Sequence, residues 1–230
     1  MTEAEWLADT DPVPMFKVIW RNISERKLRL FTCACCRRIW HLLSERLTRP
    51  AVKLAERFAD GAGTESDWDR VYSALISHAS ENPDREPLQV NAALGATCSY
   101  LRRDYPRIIT NGLRSACRAA ATLDPETRAP KFAFPSEAQL DHEAARQADL
   151  LRDVFGNPFR PVPCAPDWRT STVMALAHGI YEERAFDRMP ILADALQDAG
   201  CDNDTVLDHC RGEGPHVRGC WVVDLIMRKG

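Results

Sequence analysis

The sequence predicts an all-α protein that folds as an irregular multi-helix bundle or as a stack of helical pairs. Apolar residues recur every three or four positions along most of the chain, which is the period of an amphipathic helix. Stretches rich in proline and glycine separate these segments. No segment alternates apolar and polar residues over a length that would require a sheet. A β-hairpin within the proline-rich loops is the alternative that this pattern leaves open.

Four helices are predicted in the N-terminal part of the chain. A short helix lies over residues 15–20, and Ser24 is the expected N-cap of the next one. The third helix has Pro50 in its first turn, and Thr64 or Ser66 caps the fourth. The second helix places its apolar residues on one face, namely Leu28, Phe31, Cys35, Ile39, Leu42 and Leu43.

The centre of the chain separates two predicted helical regions. A turn-rich break over residues 80–87 precedes two further helices, over 88–101 and 108–123. Residues 124–135 hold three prolines among mixed charges, so we expect a loop or a linker there. The predicted organisation is an N-terminal helical region (1–123), a linker (124–135) and a C-terminal helical region (136–230). Whether the two regions pack as one domain is left open.

The C-terminal region begins with a strong helix signal. Ser136 is the expected cap of this helix, and Gly156 with the following Asn and Pro is its expected end. Four prolines between residues 158 and 167 predict an extended segment. Four short helices are predicted to complete the chain, over residues 170–184, 188–199, 203–211 and 219–229.

Composition and the N-terminal sequence limit the kinds of partner and the cellular compartment that we expect for this protein. The formal net charge of -3 argues against nucleic acid or an anionic membrane as a general partner. Acidic residues near the N-terminus stand where an export signal would carry Lys or Arg, and no apolar run reaches the roughly 18 residues of a membrane span. We therefore expect a cytoplasmic protein, in which the nine cysteines are reduced thiols.

Residues 201–220 hold the densest group of cysteine and histidine side chains. Thiolate and imidazole groups are preferred ligands of zinc, and the glycines of this segment would let the chain close around an ion. The spacing weakens this hypothesis, because the Cys-x-x-Cys pair typical of zinc sites is missing and adjacent residues point in different directions on a helix. Core thiols beside a polar turn are the favoured alternative. The candidate metal ligands are Cys201, His209, Cys210, His216 and Cys220.

Two sets of basic residues are candidate anion-binding sites. The first lies in the glycine-rich turn before the last predicted helix, where a phosphate or carboxylate would meet side-chain and backbone donors, and comprises Arg211, His216 and Arg218. The second forms a stripe along a central predicted helix, would contact nucleic acid, and comprises Arg107, Arg114 and Arg118. Internal ion pairs and a solvated helix face are the favoured interpretations of both sets.

The common catalytic signatures are incomplete in this sequence. His142 is followed by Glu as in zinc proteases, but Arg146 stands where those enzymes carry their second histidine. We therefore expect a non-catalytic α-helical module for protein interaction or regulation, with another protein as its partner and no required cofactor. The alternatives are a zinc- or anion-binding protein or enzyme that uses residues 201–220, and a nucleic-acid-binding accessory protein.

Several strings of the sequence are distinctive. They are MTEAEWL at residues 1–7, FGNPFRP at residues 155–161, and HCR followed by GPHVRGCWVVDL within residues 209–225. In these strings the chain resembles a large paralogous family of bacterial proteins, and the match is concentrated at the two ends of the chain. The resemblance implies no activity, cofactor or catalytic residue for this sequence.

Overall fold

The computed structural model describes residues 1–81 and 136–230. Both ranges are helical and contain no β-strand, which confirms the predicted all-α multi-helix fold. Within them, no helix is long and apolar enough to span a bilayer. The predictions that lie outside the described residues are the helices over 88–101 and 108–123, the linker over 124–135, and Arg107, Arg114 and Arg118.

Each described range contains five α-helices. The first described range contains α1 (Glu3–Ala8), α2 (Pro12–Ile19), α3 (Glu25–Arg38), α4 (Thr48–Ala59) and α5 (Glu65–Glu81). The second contains α6 (Glu137–Phe155), α7 (Ser171–Glu183), α8 (Met189–Asp198), α9 (Asp204–Arg211) and α10 (Trp221–Met227).

Two local differences from the predicted elements occur near the N-terminus. Helix α1 was not predicted, and α2 begins at Pro12 rather than near Met15. The reason for the earlier start is a capped first turn: Asp11 accepts a hydrogen bond from the backbone N–H of Val13 at 2.9 Å, and a proline is favourable at the first helical position.

The chain divides into two compact units, which we describe separately. The N-terminal unit comprises Asp9–Ala148, and the C-terminal unit comprises Met1–Ala8 together with Asp149–Gly230. Helix α6 contributes to both, because the division falls between Ala148 and Asp149.

The N-terminal unit is built around α3, which packs against α4. The apolar face predicted for this segment is buried at Leu28, Phe31 and Cys35. Burial extends to other faces of the helix, since Cys33 and Cys36 are also enclosed. Helix α3 is therefore a central helix of this unit rather than a surface helix with one apolar stripe.

Charged side chains of α3 are paired within the same unit. The guanidinium of Arg37 donates to both carboxylate oxygens of Glu56, at 3.0 and 2.8 Å. Arg38 forms the same bidentate contact with Glu143 of α6, donating two hydrogen bonds at 2.8 and 2.7 Å. Both glutamates are almost completely buried, so the arginines satisfy carboxylates that are removed from water.

The core of the C-terminal unit lies among its four short helices. Helix α7 packs against α8 and α10, and α8 packs against α9. Val173, Ile180, Leu192 and Val206 are among the fully buried residues of this core. Helix α1 is joined to α6 by Arg152, whose guanidinium donates two hydrogen bonds to the carbonyl of Trp6 at 3.1 and 2.9 Å.

Local signals place the ends of the helices that carry the candidate site. Helix α6 ends at Phe155, and Gly156 adopts the positive φ of +66° that favours glycine, as expected for its C-terminal stop. Asn203 caps α9 by accepting a hydrogen bond from the backbone N–H of Val206 at 3.2 Å. The predicted extended segment between residues 158 and 167 has no α-helix.

Candidate metal centre

Four side chains of the C-terminal unit converge on one point. Asp153 lies in the last turn of α6, and His209 lies in the last turn of α9. His216 belongs to the turn between α9 and α10, and Cys220 is the N-cap residue of α10. We call these four residues the metal group, because one potential ligand atom from each lies within 4.8 Å of the other three.

The shortest distances in the metal group join nitrogen, oxygen and sulfur atoms. Asp153 Oδ1 lies 3.0 Å from His216 Nδ1 and 3.2 Å from His209 Nε2. The same His209 nitrogen lies 3.1 Å from Cys220 Sγ. In a tetrahedral zinc site with bonds of about 2.0–2.3 Å, the ligand atoms are about 3.3–3.8 Å apart. The three shortest separations in the metal group lie just below this range and the separations extend to 4.8 Å, so small side-chain movements would bring the four atoms to tetrahedral spacing.

The metal group is shielded from solvent. Asp153 and Cys220 are buried, and the side chains of His209 and His216 are only 19% and 7% exposed. Polar groups in such a place need partners, because desolvation without compensation is costly. A single cation placed between them would satisfy all four donors at once.

Three contacts from the surrounding chain orient these side chains. The backbone N–H of Val217 donates to Asp153 Oδ2 at 2.9 Å, and the carbonyl of Gly212 lies 3.3 Å from His216 Nε2. The ring of Trp221 lies 5.2 Å from the ring of His209, measured between centroids. Partners of this kind fix which atom of a ligand side chain faces a metal.

The charge state of the metal group is set by burial and by its own hydrogen bonds. Burial raises the pKa of Asp153, but the hydrogen bonds from His209 and His216 and the electrostatic attraction of the two rings together lower it by more, so the net shift is downward. Burial raises the pKa of Cys220 well above its usual value, and the nearby carboxylate of Asp153 adds to this rise. The centre therefore combines an ionised carboxylate with a thiol that a bound cation would convert to the thiolate.

Three of the five candidate metal ligands belong to the metal group. His209, His216 and Cys220 are brought together, whereas Cys201 and Cys210 lie in the hydrophobic core of the unit. The neighbours His209 and Cys210 do point in different directions on α9. Because of this divergence, Cys210 lies in the core whereas His209 contacts the other members of the metal group.

Asp153 is the member of the metal group that sequence reasoning missed. It lies 63 residues before its hydrogen-bond partner His216, so no local spacing connects the two. One signal was available in the sequence: Asp153 follows Leu150 by three residues, which places an acid on an apolar helix face. A charged residue on such a face is buried only when it is paired.

The residues of the predicted anion site have separate partners. Arg211 donates to Gln197 Oε1 at 2.6 Å and to Asp194 Oδ1 at 3.2 Å, both on α8. Arg218 pairs with Glu182 at 3.5 Å and lies over the ring of Tyr181. His216 belongs to the metal group, so the three side chains take part in three different local arrangements.

No protein-family model, curated protein or solved structure matches this chain. The resemblance to a bacterial paralogous family stays a prediction from its sequence strings. The metal group is therefore the feature from which a function is best inferred.

Proposed function

We propose that this protein is a zinc-binding, non-catalytic helical module in which the metal group holds one structural zinc ion. The convergence of four ligand atoms within 4.8 Å carries this proposal. Two imidazoles, a thiol and a carboxylate form a mixed set of nitrogen, sulfur and oxygen donors that suits zinc, whereas calcium and magnesium prefer oxygen ligands alone.

A structural role is favoured over a catalytic one by the number of protein ligands. Catalytic zinc sites usually have three protein ligands and leave the fourth position for water or substrate, whereas structural sites use four. The metal group supplies four ligands and is largely closed to solvent. A zinc ion held there would lack the open position that hydrolytic chemistry needs.

The same three residue types also occur in enzymes with a cysteine nucleophile. In those enzymes the histidine contacts the nucleophile through one ring nitrogen and the acidic residue through the other. Here Cys220 Sγ and Asp153 Oδ1 both approach the same nitrogen, His209 Nε2. Cys220 is also fully buried and its pKa is raised, whereas reactive cysteines are accessible and have lowered pKa values. These contacts support a shared metal rather than covalent catalysis.

A non-catalytic module would act through contacts with another protein, as the sequence leads us to expect. Its zinc ion would tie the end of α6 to α9, to the following turn and to the start of α10. Metal sites of this kind contribute directly to the folding free energy of small helical regions.

The proposal is tested by measuring metal content after purification without chelators. We expect about one zinc ion per chain in the wild type. His216→Ala and Cys220→Ser should lose the ion, because each removes one of the four ligands. Matched controls in the same unit are His178→Ala and Cys164→Ser, which lie outside the metal group and should retain it.

A wild-type protein that carries no zinc and does not take up added zinc would overturn the proposal. Equal retention of zinc by His216→Ala and His178→Ala would do the same, because the ion would then be held elsewhere. Helix content measured by circular dichroism identifies any variant that loses metal only through unfolding.

A further inference from the structure

We infer that the two histidines bind the metal through opposite ring nitrogens, His209 through Nε2 and His216 through Nδ1, and that the turn between α9 and α10 imposes this choice. The inference rests on the proposed zinc site and specifies its coordination. It also makes the turn a part of the metal site, although its backbone supplies no ligand.

The assignment for His216 follows from its two neighbours. Its Nε2 faces the carbonyl of Gly212 at 3.3 Å. A carbonyl oxygen only accepts hydrogen bonds, so Nε2 carries a proton and donates it. Nδ1 is then the ring nitrogen that faces the metal group, and it lies 3.0 Å from Asp153 Oδ1. Without a metal, a proton on Nδ1 makes this contact a hydrogen bond to the carboxylate. A metal ion that replaces the proton would meet Nδ1 and Oδ1 as ligands.

The assignment for His209 follows from the convergence of two other ligands on one of its nitrogens. Nε2 lies 3.1 Å from Cys220 Sγ and 3.2 Å from Asp153 Oδ1. A metal coordinated by the thiolate and the carboxylate would therefore be adjacent to Nε2. Trp221 packs near the His209 ring and restricts its rotation.

The turn between α9 and α10 sets the orientation of two ligands. The Gly212 carbonyl directs Nδ1 of His216 inward, and the Val217 N–H binds Asp153 Oδ2, which leaves Oδ1 to face the metal. Gly214 has a φ of +92°, and a Cβ atom on it would lie 2.8 Å from the backbone nitrogen of His216. Glycine is therefore required for the path of the chain into His216.

The resulting donor set defines the class of metal. One thiolate, two imidazole nitrogens and one monodentate carboxylate oxygen form a four-coordinate site that suits zinc, with cobalt(II) as a spectroscopic substitute. Calcium and magnesium require more oxygen ligands than this site supplies. The turn thus selects a tetrahedral transition metal by limiting Asp153 to one ligand oxygen.

The direct test is NMR of the zinc-loaded wild type with ¹⁵N-labelled histidine. Two-bond correlations between ring protons and ring nitrogens distinguish an Nδ1-bound ring from an Nε2-bound ring. We expect His209 to be protonated on Nδ1 and bound through Nε2, and His216 to show the opposite pattern. Identical patterns for the two histidines would overturn the inference, and the wild type presents no risk of misfolding.

An independent test uses amide side chains in place of each ring. The side-chain oxygen of asparagine is as many bonds from Cβ as Nδ1 of histidine, and that of glutamine is as many as Nε2. We expect His216→Asn to bind zinc on the order of tenfold more tightly than His216→Gln. For His209 the order should reverse, with His209→Gln the tighter of the pair.

These experiments separate failure of the inference from failure of the proposed function. A wild type that binds neither zinc nor cobalt(II) contradicts the proposed function itself. A wild type that binds zinc, while both amide pairs show equal affinities or the opposite order, contradicts only the nitrogen assignment. Competition with a chromophoric chelator gives each affinity on the same scale.

Discussion

Arg38 and Glu143 show how burial changes the contribution of an ion pair to the stability of the N-terminal unit. The Glu143 side chain is 5% exposed and accepts two hydrogen bonds from Arg38. The pair between Arg49 and Glu45 has a similar shortest distance of 2.8 Å, but the Glu45 side chain is 82% exposed. Water competes for the charges of an exposed ion pair, so the pair contributes little to the free energy of unfolding. Removing one partner of a buried pair lowers that free energy more, because the remaining charged group is left buried without its hydrogen bonds.

We predict that Glu143→Ala lowers the free energy of unfolding by about 1–3 kcal/mol, because it removes a buried carboxylate and its two charge-assisted hydrogen bonds. The matched variant Glu45→Ala should change it by about 0.5 kcal/mol or less. Urea denaturation followed by circular dichroism measures both values. Equal effects of the two substitutions would contradict the difference in burial.

The cysteines illustrate a second effect of burial on single residues. The seven cysteines in the described residues form no disulfide with one another, and most are buried. Burial raises the pKa of Cys36 and of Cys210 to about 12. Such thiols are neutral at physiological pH and pack as small apolar groups. Burial raises the pKa of Cys220 as well, but its sulfur also contacts His209 Nε2 at 3.1 Å.

At the scale of elements, the turn between α9 and α10 determines whether its flanking helices can share a metal. Helix α9 presents His209, and α10 begins directly after Cys220. These two residues are 11 positions apart, and the glycines between them allow the chain to reverse. The positive φ of Gly214 and the 2.8 Å approach that an added Cβ would make to the backbone nitrogen of His216 leave no room for a side chain at this position.

Gly214→Ala is predicted to weaken zinc binding by at least about tenfold, because the added Cβ displaces His216 from the metal group. Gly200→Ala is the matched control: Gly200 has a similar φ of +84° but no atom within 4 Å of the added Cβ. Both variants carry the same conformational penalty at positive φ, so only the position near His216 should affect metal affinity. Comparable zinc affinities for the two variants, measured by chelator competition, would refute this role of Gly214.

At the scale of the whole molecule, the metal group links segments that are distant in sequence within the C-terminal unit. Asp153 belongs to α6, whereas its three companions lie within residues 209–220. A ligand that binds only the folded state stabilises it in proportion to the logarithm of its free concentration over Kd. Zinc would therefore stabilise the unit that contains the site.

We predict that removing zinc with a strong chelator destabilises the C-terminal unit by about 4 kcal/mol, relative to a free zinc concentration a thousand times Kd. Hydrogen–deuterium exchange should then accelerate in α9, in α10 and in the last turns of α6. Exchange in α3 and α4 provides the internal reference in the N-terminal unit. Unchanged exchange around the metal group after removal of the ion would show that the site does not stabilise this unit.

Local sequence patterns determined most of the helical structure. Ser24 and Asn203 are N-caps because their short polar side chains reach a backbone N–H in the first turn, a property that depends only on neighbouring residues. Gly156 ends α6 for an equally local reason. The periodicity of the second predicted helix located a buried face correctly, but it extended the helix to Leu43, whereas α3 ends at Arg38.

The sequence also located three of the four metal-group residues, because His209, His216 and Cys220 are close along the chain and have the right chemistry. Only the tertiary structure supplied Asp153, which reaches them from α6 across a separation of 63 residues to His216. It also separated Cys210 from His209. Helical periodicity predicts which face of its own helix a residue occupies. It does not predict which other helix packs against that face, so only tertiary packing could bring Asp153 to the other three residues.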